Sequence, residues 1–145
     1  MSKSNTFEND LLKLIFANTA ITNIGDAGGL LGSSTAGSLY WSLHTADPGE
    51  AGTAVTNETA YTNYVRKAAT RGAGFTVTGA LVHPAANVDF ATCGATPGAA
   101  ITHFGIVNTT GGAGKLLYSG TVTPNITMAA GVIPRLTTAT TISED

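Results

Sequence analysis

Charge is what this sequence has least of. Its 7 Lys and Arg and 9 Asp and Glu make up 11% of 145 residues, against about 25% in an ordinary soluble domain. With a formal net charge of −2 and a pI near 5.8, it has no basic field to attract a phosphate backbone. Direct nucleic-acid binding is therefore disfavoured. The single cysteine, Cys93, leaves no intrachain disulfide to form and no cysteine cluster to hold a metal, so it reads as a small core residue. No run approaches the roughly 18 apolar residues of a membrane span, and the start Met1-Ser-Lys-Ser-Asn lacks the apolar core of a signal peptide. A chain of this length fits one domain and buries enough surface to fold without staples.

Chemistry-bearing patterns are equally scarce. The segment Thr109-Thr-Gly-Gly-Ala-Gly-Lys115-Leu116 looks like a phosphate-binding loop but has Thr where the first glycine should stand and Leu where a hydroxyl should meet magnesium. It leads into a strand pattern, so a hairpin loop is expected. No G-x-S-x-G elbow is present. The histidines are His44, His83 and His103, with no ligand spacing among them, and His103 in Ile101-Thr-His-Phe-Gly-Ile106 reads as a packed strand residue. Asp47 and Glu50 share one turn, and paired carboxylates in a turn are usually solvated. The expectation is a protein that is not an enzyme and needs no cofactor or metal. The enzymatic alternative, a carbohydrate-active one, would rest on Asp47 or Glu50.

What the chain does have is short-period apolar patterning. Leu39, Trp41 and Leu43 lie on one face of a strand and Tyr40, Ser42 and His44 on the other, with Asp47-Pro48-Gly49 turning the chain. Further strands are predicted near Tyr64 to Ala69, Gly74 to Thr78, Val88 to Ala91, Ile101 to Val107, Lys115 to Val122, Asn125 to Met128 and Arg135 to Ile142. Another is possible at Leu81 to His83. Roughly eight strands at this spacing, with no long crossover helix, predict an all-β fold: an antiparallel jelly-roll β-sandwich. The one convincing helix runs from about Asn5 to Ala20, with Asn5 as its cap and Glu8 three residues on. The Gly25 to Gly37 stretch reads as a mobile connector. The organisation expected is a helix or arm over 1–24, a glycine-rich connector over 25–37 and a β-sandwich over 38–145.

A surface this poor in charge fits one that a partner covers, because interface cores are depleted in charged residues. Two groups of side chains are candidates for such contacts. The first is the wide apolar face of the helix, Phe7, Leu11, Leu12 and Phe16, which either covers a sheet or docks on a neighbouring subunit. The second is the basic cluster Arg66, Lys67 and Arg71, set to pair with an acidic strip on a partner. A closed homo-dimer or homo-trimer is expected.

Five segments carry a resemblance to a known family. They are Thr6-Phe-Glu-Asn-Asp-Leu-Leu-Lys-Leu-Ile-Phe16, Leu43-His-Thr-Ala-Asp-Pro-Gly-Glu50, Thr102-His-Phe-Gly-Ile106, Gly114-Lys-Leu-Leu-Tyr-Ser-Gly120 and Thr137-Thr-Ala-Thr-Thr-Ile-Ser-Glu-Asp145. With them the chain resembles the small virion proteins of tailed bacteriophages, in particular the capsid cement or decoration proteins. The resemblance implies a jelly roll bound to the major capsid protein on the outside of an icosahedral head, stabilising the shell and doing no chemistry. It also implies synthesis in the host bacterial cytoplasm and no membrane partner. Relatives of this kind also carry tail-fibre labels, so the alternative is a tail-fibre or receptor-binding module using loops such as Gly94 to Gly98 and Thr109 to Gly114.

Overall fold

The computed structural model describes residues 2–26 and 28–144. Among them are one helix, α1 (Asn5–Ala17), and nine strands: β1 (Ser38–His44), β2 (Lys67–Thr70), β3 (Phe75–Thr78), β4 (Leu81–Pro84), β5 (Val88–Asp89), β6 (Ile101–Val107), β7 (Leu116–Ile126), β8 (Arg135–Leu136) and β9 (Ile142–Ser143). The fold is all-β with one helix, and the pairings with a defined register are antiparallel. Three sheets form, in the orders β2-β1-β6-β7, β3-β4-β9 and β5-β8. The chain divides into two compact units, one of residues 1–38, 69–86 and 138–145 and the other of 39–68 and 87–137.

In the first unit α1 packs on β3 and β4. Its cap is Ser4, not Asn5: the Ser4 hydroxyl accepts from the Phe7 amide, and the Glu8 amide makes the first helical bond to the Ser4 carbonyl. The helix also stops short of Ala20, because Asn18 adopts a left-handed conformation at φ 56° and its amide turns back to the Lys13 carbonyl. Leu12 and Phe16 are fully buried, and the Phe16 ring meets the Phe75 ring edge to face at 5.0 Å. The Asn9 side-chain amide donates to the Gly79 carbonyl at 2.8 Å, joining the helix to the β3–β4 turn.

The glycine-rich stretch read as mobile is instead tied down. Ile21 and Leu30 exchange backbone hydrogen bonds at 2.9 and 2.8 Å, and the Asn18 side chain bonds both the amide and the carbonyl of Ser33 at 2.8 Å. Ala27 lies outside the described residues. Composition suggested slack, but the glycines here permit close approach. A Cβ on Gly29, at φ +62°, would stand 1.9 Å from the Ile21 carbonyl oxygen. Gly29→Ala is expected to cost about 1–3 kcal/mol, the range for overpacking, read as a lower thermal midpoint.

In the second unit β1 and β6 form the centre. Their register sets Trp41 opposite Ile106 and Leu43 opposite Phe104, with Trp41 and Phe104 rings 5.7 Å apart. The predicted alternation of β1 is correct, yet both faces are buried, because Ser42 and His44 are enclosed as fully as Trp41 and Leu43. Cys93 is buried, as its composition suggested.

Several boundaries moved. The two strands predicted on either side of Thr123-Pro124 are one, β7, which tolerates the proline because it lies at a sheet edge. Residues 135–142 split between β8 and β9, which belong to different sheets. Tyr64 to Arg66 fall outside β2: the Tyr64 amide closes a turn on the Tyr61 carbonyl, and both side chains turn into the interior.

Candidate interaction surface

One ion pair of the second unit is largely enclosed. Arg66, buried, forms a two-pronged pair with Glu58: Nε to Oε1 at 2.6 Å and Nη2 to Oε2 at 2.7 Å. Nη1 reaches the Thr109 hydroxyl and carbonyl at 2.9 and 3.2 Å, and Nη2 shares its two protons between Glu58 and the carbonyls of Ala54 at 3.2 Å and Gly112 at 3.0 Å. The bond to Glu58 raises the pKa of Arg66 further above its ordinary value. Tyr64 donates to Glu58 Oε1 at 2.9 Å and accepts from the Leu43 amide at 3.1 Å, and burial pushes its phenol well above the ordinary range. Burial likewise lifts Tyr61 to about 12, while its hydroxyl donates to the Ala91 carbonyl.

His44 and Ser42 form a second buried pair, with Nε2 and Oγ 2.8 Å apart. Nδ1 of His44 lies 2.8 Å from the Thr56 carbonyl, so this nitrogen carries the proton and Nε2 accepts from the serine. Nucleophile and base would be spaced like this, but a hydrolase needs its serine open to substrate. Both side chains are fully buried, and opposite them Gly105 leaves no room, since a Cβ there would come 2.6 Å from Ser42 Oγ.

Burial lowers the pKa of His44, outweighing the Thr56 bond and Glu58, which raise it, while Arg66 and His103 lower it further. The sign follows directly. An imidazole with a depressed folded pKa leaves the unfolded chain binding more protons below about pH 6.5. Stability should be full above that pH and fall as the medium is acidified. In urea unfolding at pH 7.5 and 5.0, the drop in midpoint is expected to shrink in His44→Gln.

The residues proposed from sequence as partner contacts separate into two groups. Leu12, Phe16 and Arg66 are buried within their own units, and Leu11 is half-buried. Arg71 caps the helix: its Nε donates to the Ile15 carbonyl at 2.6 Å and its Nη2 to that of Leu14, placing a cation on carbonyls that the helix itself leaves open. Phe7, at 37% exposure, and Lys67 remain at the surface. The cluster Arg66, Lys67 and Arg71 is thus not a continuous basic patch. Glu58 was not singled out as its counter-ion. In a chain with so few charges, a carboxylate eight residues before an arginine was the available signal.

On the outside of the second unit, a groove of about 350 Å³ is lined by Asp47, Gly49, Glu50, Gly52 and Leu116 to Ser119. One wall is the turn predicted after β1, braced by the Asp47 carboxylate accepting from the Gly49 amide at 2.8 Å. The other wall is the beginning of β7, whose outer edge carries no further strand of its sheet among the described residues. Asp89 and Arg135 form an exposed pair across β5 and β8, which holds the Asp89 carboxyl below its ordinary pKa. Among the described residues no three His, Cys, Asp or Glu side chains gather as a metal would need, and no helix is long and apolar enough to cross a membrane.

A β-rich chain with one largely enclosed ion pair and its longest strand at a sheet edge is matched over residues 2–143 by the family described as Podophage GP4 fiber I protein gp80. It is accordingly a phage structural protein. More narrowly, the chain belongs to that fibre I family. No curated protein matches it.

Proposed function

We propose that this protein is a non-enzymatic building block of the virion's fibre apparatus. The observation that carries the reading is the match of residues 2–143 to a family described as a fibre protein. The absence of chemistry is part of the proposal, and the enclosure of the Ser42–His44 pair supports it. The jelly-roll wiring belongs here too: β1 lies beside β6, far along the chain, and such long returns are how Greek-key sandwiches are connected.

The second reading is a cement protein on the capsid exterior, with the major capsid protein as partner. Its support is the five-segment resemblance together with a charged fraction of 11%, which suits a surface covered many times over on a lattice. Electron microscopy of the purified protein mixed with undecorated expanded capsids and with separated tails distinguishes the two. Density on tails is expected. Regular density on heads alone would overturn the fibre assignment in favour of cement.

A further inference from the structure

Strand β7 is the longest element after the helix, and its exposed edge has little of what usually guards one. Open edges invite pairing with another chain, and proteins blunt them with charge, proline or bulges. From Leu116 to Thr123 this strand has no charge and no proline; Lys115 stands just before that stretch and Pro124 just after it. Its register against β6 does step by one extra residue at Leu117, opposite Ile106 and Val107. Leu117 is 38% exposed there, a large apolar side chain on an otherwise small and hydroxylated face. Beside the strand's first half lie the carboxylates of Asp47 and Glu50. Neither of them forms an ion pair among the described residues, and neither does Lys115.

We propose that β7 is the seam of a homodimer, in which a second copy of this chain lays its own β7 antiparallel along the free edge. A two-fold axis at Leu117 accounts for each feature at once. It packs Leu117 against the partner's Leu117, removing both from water. It also sets Lys115 of each copy opposite Ser119 of the other, at the groove where Asp47 and Glu50 wait. Each copy thereby supplies one cation to the other's two carboxylates. Charge complementarity selects a second copy as occupant, because the attracting charges of both signs sit on one surface and face each other only under two-fold symmetry. That symmetry also closes the assembly, since pairing two copies covers both open edges and leaves none to propagate. The inference stands whether the protein sits on tail or head.

The test uses the purified whole chain. Sedimentation should show a dimer. Leu117→Asp places two like charges at the axis and should weaken association on the order of a hundredfold or more. Lys115→Glu should weaken it on the order of tenfold, because the two-fold doubles every change, and adding Glu50→Lys should restore it. All are compared at matched circular dichroism.

Leu117→Cys gives a second, independent readout. Directly opposed residues in an antiparallel pair lie about 4.5–5.5 Å apart at Cα, within the reach of a disulfide. Mild oxidation should yield a covalent dimer, whereas Val55→Cys, exposed but outside the β7 strand and off the proposed two-fold axis, should not cross-link. The buried Cys93 does not compete. A wild-type monomer or trimer, or Leu117→Cys that cross-links no better than Val55→Cys, would overturn the seam.

Discussion

Replacing Arg66 by alanine is expected to remove about 3–5 kcal/mol of folding stability, the range for breaking one side of a buried ion pair. The size follows from what would be left behind. Glu58 would keep its charge in a place where only the Tyr64 hydroxyl still answers it, and the carbonyls of Ala54, Thr109 and Gly112 would each lose a donor. Marginal stability makes such a loss a large share of the whole, since a domain has only about 5–15 kcal/mol in hand. Arg66→Lys should recover part of this. One ammonium cannot span both Glu58 oxygens and the carbonyls of the 109–114 loop together. Equilibrium urea unfolding measures both variants. A loss under about 1 kcal/mol for Arg66→Ala would mean that the network is solvated and that Arg66 is available to a partner after all.

Phe16→Ala should cost a similar amount, about 3–5 kcal/mol, from the lost transfer of a fully buried ring and the cavity it leaves. Loss of the edge-to-face contact with Phe75 is included in that figure. Phe7→Ala, at the other end of the same helical face, should change stability by less than about 1 kcal/mol, as surface substitutions do. The pair separates two roles that the sequence could not. A residue that covers β3 and β4 shows itself in the unfolding midpoint. A residue that meets a virion neighbour shows itself in reduced incorporation at an unchanged midpoint. Similar midpoints for the two variants would contradict the packing of α1 against its sheet.

Helical periodicity explains why the sequence left that choice open. Phe7, Leu11, Leu12 and Phe16 all satisfy the spacing of an apolar face, but spacing does not say how much of the face a sheet covers. The structure buries Leu12 and Phe16 and leaves Phe7 at the rim. The basic cluster raised the same difficulty. Arg66, Lys67 and Arg71 are near neighbours in sequence, yet one is buried against Glu58, one is exposed and one crowns the end of α1. Arg71 could not be read as a helix cap from sequence, because its partners Leu14 and Ile15 lie more than fifty residues earlier.

Local rules were sufficient wherever neighbours along the chain decide the outcome. The alternation of Leu39 to His44, the Asp47-Pro48-Gly49 turn, the strand from Ile101 to Val107 and the single helix were legible because side-chain periodicity and turn chemistry act over a few residues. The charge deficit and the all-β class were legible for the same reason. Long-range pairing decided the rest. It made β1 a neighbour of β6, joined two predicted strands across Pro124 by placing them on an edge, and drew the glycine-rich stretch against Asn18 and Ile21. It also put Glu58 beside Arg66 and the Asp47 turn beside β7. No local propensity encodes those choices, because which groups are buried together depends on burial and hydrogen-bond satisfaction across the whole chain.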